Sequence, residues 1–184
     1  MTVTTTRTGR TTRTGRIRPA NRITLATTVD SPIGPLTLTA ADGELTGLYM
    51  AGAARPPRGT DAWVPDRAAF KDVIEQLAAY FAGELTDFRV PLRPEGTEFQ
   101  RRVWDGLCQI PYGETWTYAQ LAGHVGNIKA CRAVGLANGR NPIAVIVPCH
   151  RVIGADGTLT GYGGGLDRKA WLLDHERRVR KSTL

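Results

Sequence analysis

"TEFQRRVWDGLCQIPYGETWTYAQLAGHVGNIKACRAVGLANG", residues 97–139, is the stretch on which the architecture of the second half turns. Thr97 followed by Gln100 is a capping-box pattern. Behind it Phe99, Val103, Trp104 and Leu107 recur at the spacing of one helical face. "PYGET" (111–115) ends that helix, and "TYAQLAGHV" (117–125) reads as a short second one with Leu121, Ala122 and Val125 inward. "GNIKA" (126–130) is a tight turn, and "CRAVGLANG" (131–139) a third helix closed by Gly139. Two short helices joined by a glycine-containing turn resemble a helix-turn-helix, whose second helix enters a DNA groove. Many ordinary helical hairpins share the pattern, so alone it identifies no function.

Toward the N-terminus the periodicity changes. "ITLATTVDSPIGPLTLTAADGELTGLYM" (23–50) alternates threonine with aliphatic residues and breaks at "DSPIGP" and "ADG", predicting three antiparallel strands joined by turns. A Pro/Gly/Arg loop, "AGAARPPRGT" (51–60), follows. "PDRAAFKDVIEQLAAYFAG" (65–83) offers Asp66 as a cap, Phe70, Val73, Ile74, Leu77 and Phe81 on one helical face, and Gly83 as the stop. "FRVPLRPEG" (88–96) is a linker. Beyond the helix-turn-helix pattern a final helix runs from Asp167 through "KAWLLDHERRVR", with Trp171, Leu172 and Leu173 available for packing. The expected organisation is α+β: a basic tail over residues 1–22, a small sheet-and-helix domain over 23–91, and a helical domain over 96–184.

With 184 residues, 41% of them hydrophobic and 22% charged, the chain suits a soluble globular protein with a sizeable core. No apolar run approaches the roughly 20 residues needed to span a bilayer, and no signal-peptide core follows the start. Three cysteines, odd in number and without CxxC spacing, argue against a disulfide framework or a cysteine-rich zinc site and fit the reducing cytoplasm. The net charge of +7 is unevenly placed. "MTVTTTRTGRTTRTGRIRPANR" holds six arginines and no acid, and its near absence of apolar residues predicts a disordered, solvated extension. Residues 23–95 have 6 basic and 10 acidic side chains, whereas residues 96–184 have 12 basic and 7 acidic. The second half is therefore basic by its own residues, as a nucleic-acid binder requires.

The chemistry concentrates in "NPIAVIVPCHRV" (141–152). Ile143–Val147 is short and β-branched, so it reads as a buried strand or packed extended segment, ended by Pro148. Cys149 then stands beside two potentially cationic neighbours, His150 and Arg151. A thiol attacks as its thiolate, and the ordinary thiol pKa of about 8.5 falls only where cations, dipoles or a base assist. His150 can accept the proton, most readily through a bridging water because the two residues are adjacent, and Glu176 in the last helix is the acid to hold His150 in place. A buried, inert cysteine is the competing reading. Cys108 and Cys131 lie in helices without a flanking histidine, and His124 and His175 read as ordinary helix residues, so no metal site is expected.

"PCHRV" (148–152) resembles the active-site signature of the O6-alkylguanine-DNA alkyltransferases, also called methylated-DNA–protein-cysteine methyltransferases. The resemblance extends in order and spacing through "FQRRVWDGLCQIPYGETWTYAQLA" (99–122), "CRAVGLANGRNPI" (131–143) and "IGADGTLTGYGGGLDRKAWLLDHE" (153–176), covering nearly all of residues 96–184. "DSPIGPLTL" (30–38) and "YFAGEL" (80–85) resemble the family's first domain more loosely. The resemblance implies an RNase H-like N-terminal domain and a C-terminal domain with a winged helix-turn-helix. It implies that Cys149 takes the alkyl group from O6 of guanine in duplex DNA by in-line displacement and is consumed, with O4-alkylthymine left open. The base is rotated out of the stack at a cost of a few kcal/mol. In the same terms Arg132 fills the vacated stack, and its helix reads DNA from the minor groove with small Ala133 allowing close approach. Tyr118 donates to N3 of the departing guanine, and Asn141 joins the hydrogen bonds around the thiol. Tyr162, Gly163 and Gly164 close over the base, and Ala144 leaves room for larger alkyl groups. Thr117 and Arg151 are placed among the DNA- and substrate-contacting residues. No cofactor is implied, and the partner is alkylated double-stranded DNA met by a monomer, with clustering along DNA left open.

Two features bear on that assignment. Ile128 stands where the family's turn usually has proline, predicting a looser turn. Residues 1–95 contain neither Cys nor His, so the N-terminal zinc of some relatives is not expected. A non-catalytic damage sensor and a Cys–His hydrolase are the alternatives; the first lacks the reactive cysteine that Cys149 supplies, and the second needs an oxyanion hole and turns over repeatedly.

Overall fold

The structure, a computed structural model, describes residues 22–53 and 59–182. The basic tail up to residue 21 lies outside the described residues.

Alternation in the first half produces a sheet. Strands β1 (Thr24–Val29), β2 (Leu36–Ala41) and β3 (Glu44–Met50) pair antiparallel in sequence order. The β2–β3 hairpin turns on Asp42 and Gly43, both at positive φ (54° and 81°), the conformation that a two-residue turn between right-twisted strands demands. The three-strand expectation misses a fourth: β4 (Trp63–Pro65) pairs parallel with β1, giving the order β3-β2-β1-β4. Three residues are too few to show a period, and Pro65 is tolerated because β4 is an edge. Asp66 Oδ1 accepts from Ala69 N at the start of a 3-10 turn (Ala68–Phe70), from which α1 (Lys71–Ala82) continues to Gly83. Phe70, Val73 and Leu77 are buried as their spacing predicts, and so is Tyr80, off the face read from sequence.

The segment read as a linker is instead an extension of the sheet. Leu45 N donates to Pro91 O, Arg93 N donates to Leu45 O, and the Arg93 guanidinium pairs with Asp42 and Glu44.

In the second half, α2 (Glu98–Leu107) begins with the capping box of Thr97 and Gln100 complete. A second capping box, Thr117 with Gln120, starts α3 (Tyr118–His124). Helix α4 (Cys131–Asn138) packs beneath them, and the Trp104 indole N–H donates to Ala137 O at 2.9 Å, tying α2 to α4. The turn before α4 is a 3-10 turn (Ile128–Ala130) whose first N–H groups are held by Asn127: its side chain accepts from Lys129 N and its carbonyl from Ala130 N. Ile128 itself is exposed. Strands β5 (Trp116–Thr117) and β6 (Val152–Ile153) form a two-stranded parallel pair, and α5 (Leu166–Ser182) closes the chain.

Ile143–Val147 is buried but is not a strand. Prolines 142 and 148 bracket it, only Ile143 bridges to Leu48, and Val145 turns to φ 69°. A β-branched residue in the left-handed region costs on the order of 1–3 kcal/mol and persists where surroundings over-determine it. One contiguous core joins the halves: Leu36, Leu48 and Tyr80 share it with Trp104, Ile143 and Leu172. No helix among the described residues is long and apolar enough to cross a membrane.

Candidate active site

Cys149 opens a single 3-10 turn, Cys149–Arg151, directly after the strained segment. Its thiol is 5% exposed and borders a cavity of about 280 Å³. That volume sits just below the ~300–1,000 Å³ typical of small-ligand sites. Asn141, Ala144, Tyr162, Gly163 and Gly164 line the same cavity from the second half, and Leu48, Tyr49 and Met50 form the opposite wall from β3. A Cβ on Gly164 would stand 2.3 Å from Met50 Sδ and 3.0 Å from the Tyr162 ring, so any side chain there would displace the Met50 thioether. The Tyr162 hydroxyl is buried without a hydrogen-bond partner among the described residues.

Asn141 braces the turn. Its side-chain N–H groups donate to Val147 O (2.8 Å) and Ile143 O (3.4 Å), and its Oδ1 accepts from Ile143 N (3.0 Å). Burial pushes the Cys149 thiol up to about 11, while the Asn141 amide and the Lys169 ammonium pull it back. In the resting protein, then, the sulfur keeps its proton at neutral pH and needs a base at the moment of attack.

A buried histidine and carboxylate lie behind the cavity wall. His150 and Glu176 are both fully buried, with His150 Nε2 2.8 Å from Glu176 Oε1. A carboxylate can only accept, so Nε2 carries the hydrogen and Nδ1 is the bare lone pair. Nδ1 has no hydrogen-bond partner among the described residues. Burial lowers the His150 pKa more than Glu176 raises it, which keeps the ring neutral and able to take a proton. For Glu176, burial favours the neutral acid, but the hydrogen bond from His150, together with the hydrogen bonds and charge of Arg151, outweighs it and holds the carboxyl well below the usual range. Arg151 Nε and Nη2 reach Glu176 at 2.9 and 3.0 Å, Gly113 N at 3.0 Å and the Tyr80 hydroxyl at 2.8 Å.

Arg151 requires a correction. Placed in sequence among the DNA- and substrate-contacting residues, it is 7% exposed, with its guanidinium spent on Glu176 and on Ile110 O at 2.7 Å. It neutralises the carboxylate of the relay and presents nothing outward. Thr117 is likewise occupied as the α3 cap, its side chain accepting from Gln120 N.

The remaining candidates lie around the mouth. Arg132 and Ala133 are exposed on the first turn of α4, and the Arg132 guanidinium has no partner among the described residues. Tyr118, the first residue of α3, is half-buried; its hydroxyl donates to Thr160 O at 3.4 Å, and its ring lies near Gly135 of α4. It is not among the cavity-lining residues.

Two participants escaped the sequence. Lys169 is fully buried, donating to Val152 O and to the same Thr160 O that Tyr118 touches. Burial lowers it to about 8, with the nearby Cys149 sulfur working in the opposite direction. Nothing in "LDRKAW" distinguishes it from a surface lysine. Tyr80, 96 residues from Glu176, had no local signal at all. Arg168 adds a structural tie: its guanidinium donates to Ile33 O, Ala51 O and Gly164 O, joining the first half to the glycine-rich loop.

Comparison with known proteins agrees along the whole described chain. Residues 98–178 match the 6-O-methylguanine DNA methyltransferase DNA-binding domain, and residues 24–94 match the ribonuclease-like domain of the same methyltransferases. The methylated-DNA–protein-cysteine methyltransferase of Mycobacterium tuberculosis H37Rv is 58% identical over 150 residues, covering 82% of this chain and 90% of its own. That of Methanosarcina acetivorans is 54% identical over 147 residues, 80% of this chain and 94% of its own. The crystal structure of Mycobacterium tuberculosis OGT in complex with DNA superposes with a TM-score of 0.81 at 56% identity, covering 84% of this chain and 94% of that one. Matched over both halves and more than half identical to these relatives across four-fifths of its length, this chain belongs to the methylated-DNA–protein-cysteine methyltransferase family.

Proposed function

We propose that the protein repairs DNA by direct reversal, transferring a methyl or other alkyl group irreversibly from O6 of guanine in duplex DNA to Cys149. The carrying observation is the thiol at a cavity for one base, backed by a histidine whose tautomer Glu176 dictates. As Sγ attacks the alkyl carbon in line with the C–O6 bond, its proton passes through one water to His150 Nδ1, and Glu176 stabilises the imidazolium that forms. The C–O6 bond breaks with its electron pair going to guanine, which leaves more easily as Tyr118 donates to N3. For that the Tyr118 hydroxyl exchanges its long bond to Thr160 O for the base.

The product is a thioether. Regenerating the thiol would require water to displace a thiolate, a poor leaving group, from saturated carbon, so each molecule acts once. Arg132, free and outward on α4, fills the stack when the nucleotide rotates out, and the basic second half meets the phosphates. A Cys–His hydrolase would turn over repeatedly, whereas alkyl transfer to Cys149 stops at one event per protein. The reaction demands a reduced thiol, and all three cysteines are free; we place the protein in the cytoplasm, acting as a monomer.

The test is peptide mass spectrometry after incubation with O6-methylguanine duplex. A gain of one CH2 on the Cys149 peptide, at one per protein and absent in Cys149→Ser, is expected. DNA binding with an unmodified Cys149 would refute transfer and leave the sensor reading.

A further inference from the structure

Glu176 is held from both halves of the chain. Its carboxylate accepts from His150 and Arg151 of the 149–151 turn, from the Gly113 N–H of the α2–β5 loop, and from the Tyr80 hydroxyl of α1. Tyr80 is fully buried, and it is fixed independently: His175 Nε2 lies 2.8 Å from its carbonyl, and its ring packs against Phe81, Phe88, Tyr112 and His175. The hydroxyl donates to Oε1, the same oxygen that His150 Nε2 addresses. With Arg151 Nη2 that makes three donors on one oxygen, and they compete for its charge. The firmer the Tyr80 bond, the less negative charge faces the imidazole, and the less readily the ring holds a second proton.

We infer that Tyr80 is a positioning residue of the relay, through which the sheet-bearing first half orients Glu176 and sets the basicity of His150. The inference rests on the proposed alkyl transfer to Cys149. The other charged or titratable groups facing the relay are Arg151, Tyr112 and Tyr162 against Glu176, and Lys169 and Arg151 against His150. All belong to the second half, so Tyr80 is the one contact through which the first half acts on this carboxylate among the described residues.

The test is single-turnover methyl transfer by the full chain from pH 5 to 8. Tyr80→Phe keeps the ring and removes the donor. The acid limb of the rate, where His150 becomes protonated, is expected to move up by about half a unit or more, with a threefold or larger loss near the limb. Replacing Tyr80 by a ring-fluorinated tyrosine strengthens the donor and is expected to move the limb downward. This second variant decides the matter if the phenylalanine variant does not fold. A merely structural tyrosine would alter stability and leave both limbs in place. Limbs coincident with that of the unsubstituted protein would overturn the inference while its Cys149 methylation kept the repair reading intact; loss of that methylation would sink the repair reading itself.

Discussion

Glu176→Gln is the substitution that the relay tolerates least. The carboxylate takes five hydrogen bonds, two of them from a buried guanidinium. Glutamine has one acceptor oxygen, and whichever way the amide lies, its NH2 confronts donors: Arg151 Nε and Gly113 N on one side, Tyr80, His150 and Arg151 Nη2 on the other. The substitution also strips the counter-charge from Arg151, which is 7% exposed. Removing one partner of a buried ion pair costs about 3–5 kcal/mol, because the other charge stays buried and uncompensated. At roughly 2–4 °C per kcal/mol for a chain of this size, the melting temperature should fall by about 6–20 °C. Urea unfolding of both proteins at pH 7 measures the difference. The sign with pH follows from the depressed carboxyl: its stabilisation is fully present above the unfolded-state value near 4.3 and fades as pH falls toward the folded one. The gap between the two proteins should therefore narrow below about pH 4. A loss under about 1 kcal/mol at pH 7, or a gap constant down to pH 3, would refute the idea that an uncompensated guanidinium governs this site.

Other substitutions separate roles that the geometry distinguishes. Arg132→Ala removes an exposed, unpartnered side chain, so stability should change by no more than about 0.5 kcal/mol, while repair of duplex substrate falls far more than reaction with the free alkylated base; equal losses would contradict a stack-filling role. At Val145, φ 69° inverts the usual ranking: Val145→Gly should be more stable than Val145→Ala by about 1 kcal/mol, since glycine alone escapes the left-handed penalty. Denaturant midpoints of the pair decide it, and the ordinary order, alanine above glycine, would mean that the strain is not there.

Local pattern made the helices legible. The capping box at Thr97, the inward residues of α3 and the stop at Gly83 each depend on residues within a turn of one another, and each is present. What failed was non-local. β4 is three residues pairing across a loop, and Ile143–Val147 has strand composition but takes its shape from two prolines and the Asn141 amide. In the site, Cys149 and His150 are neighbours in sequence, so their proximity required no folding argument. Arg151 had the same adjacency and was assigned outward, because nothing in "CHR" says that the third side chain turns in toward Ile110 and Glu176. Tyr80 and Lys169 look like packing and surface residues until the chain brings distant carbonyls and carboxylates to them.

The three bonds of Arg168 all end on main-chain oxygens, at positions 33, 51 and 164. Main-chain oxygens survive any change of side chain that leaves the turn in place. The joint between the sheet and the glycine loop is thus indifferent to what residues 33 and 51 are, yet wholly dependent on residue 168. A lysine there has a single charged tip and cannot span three acceptors set in a fan. Drift in the first half can therefore be wide at those two turns without loosening the wall that stands over the sulfur.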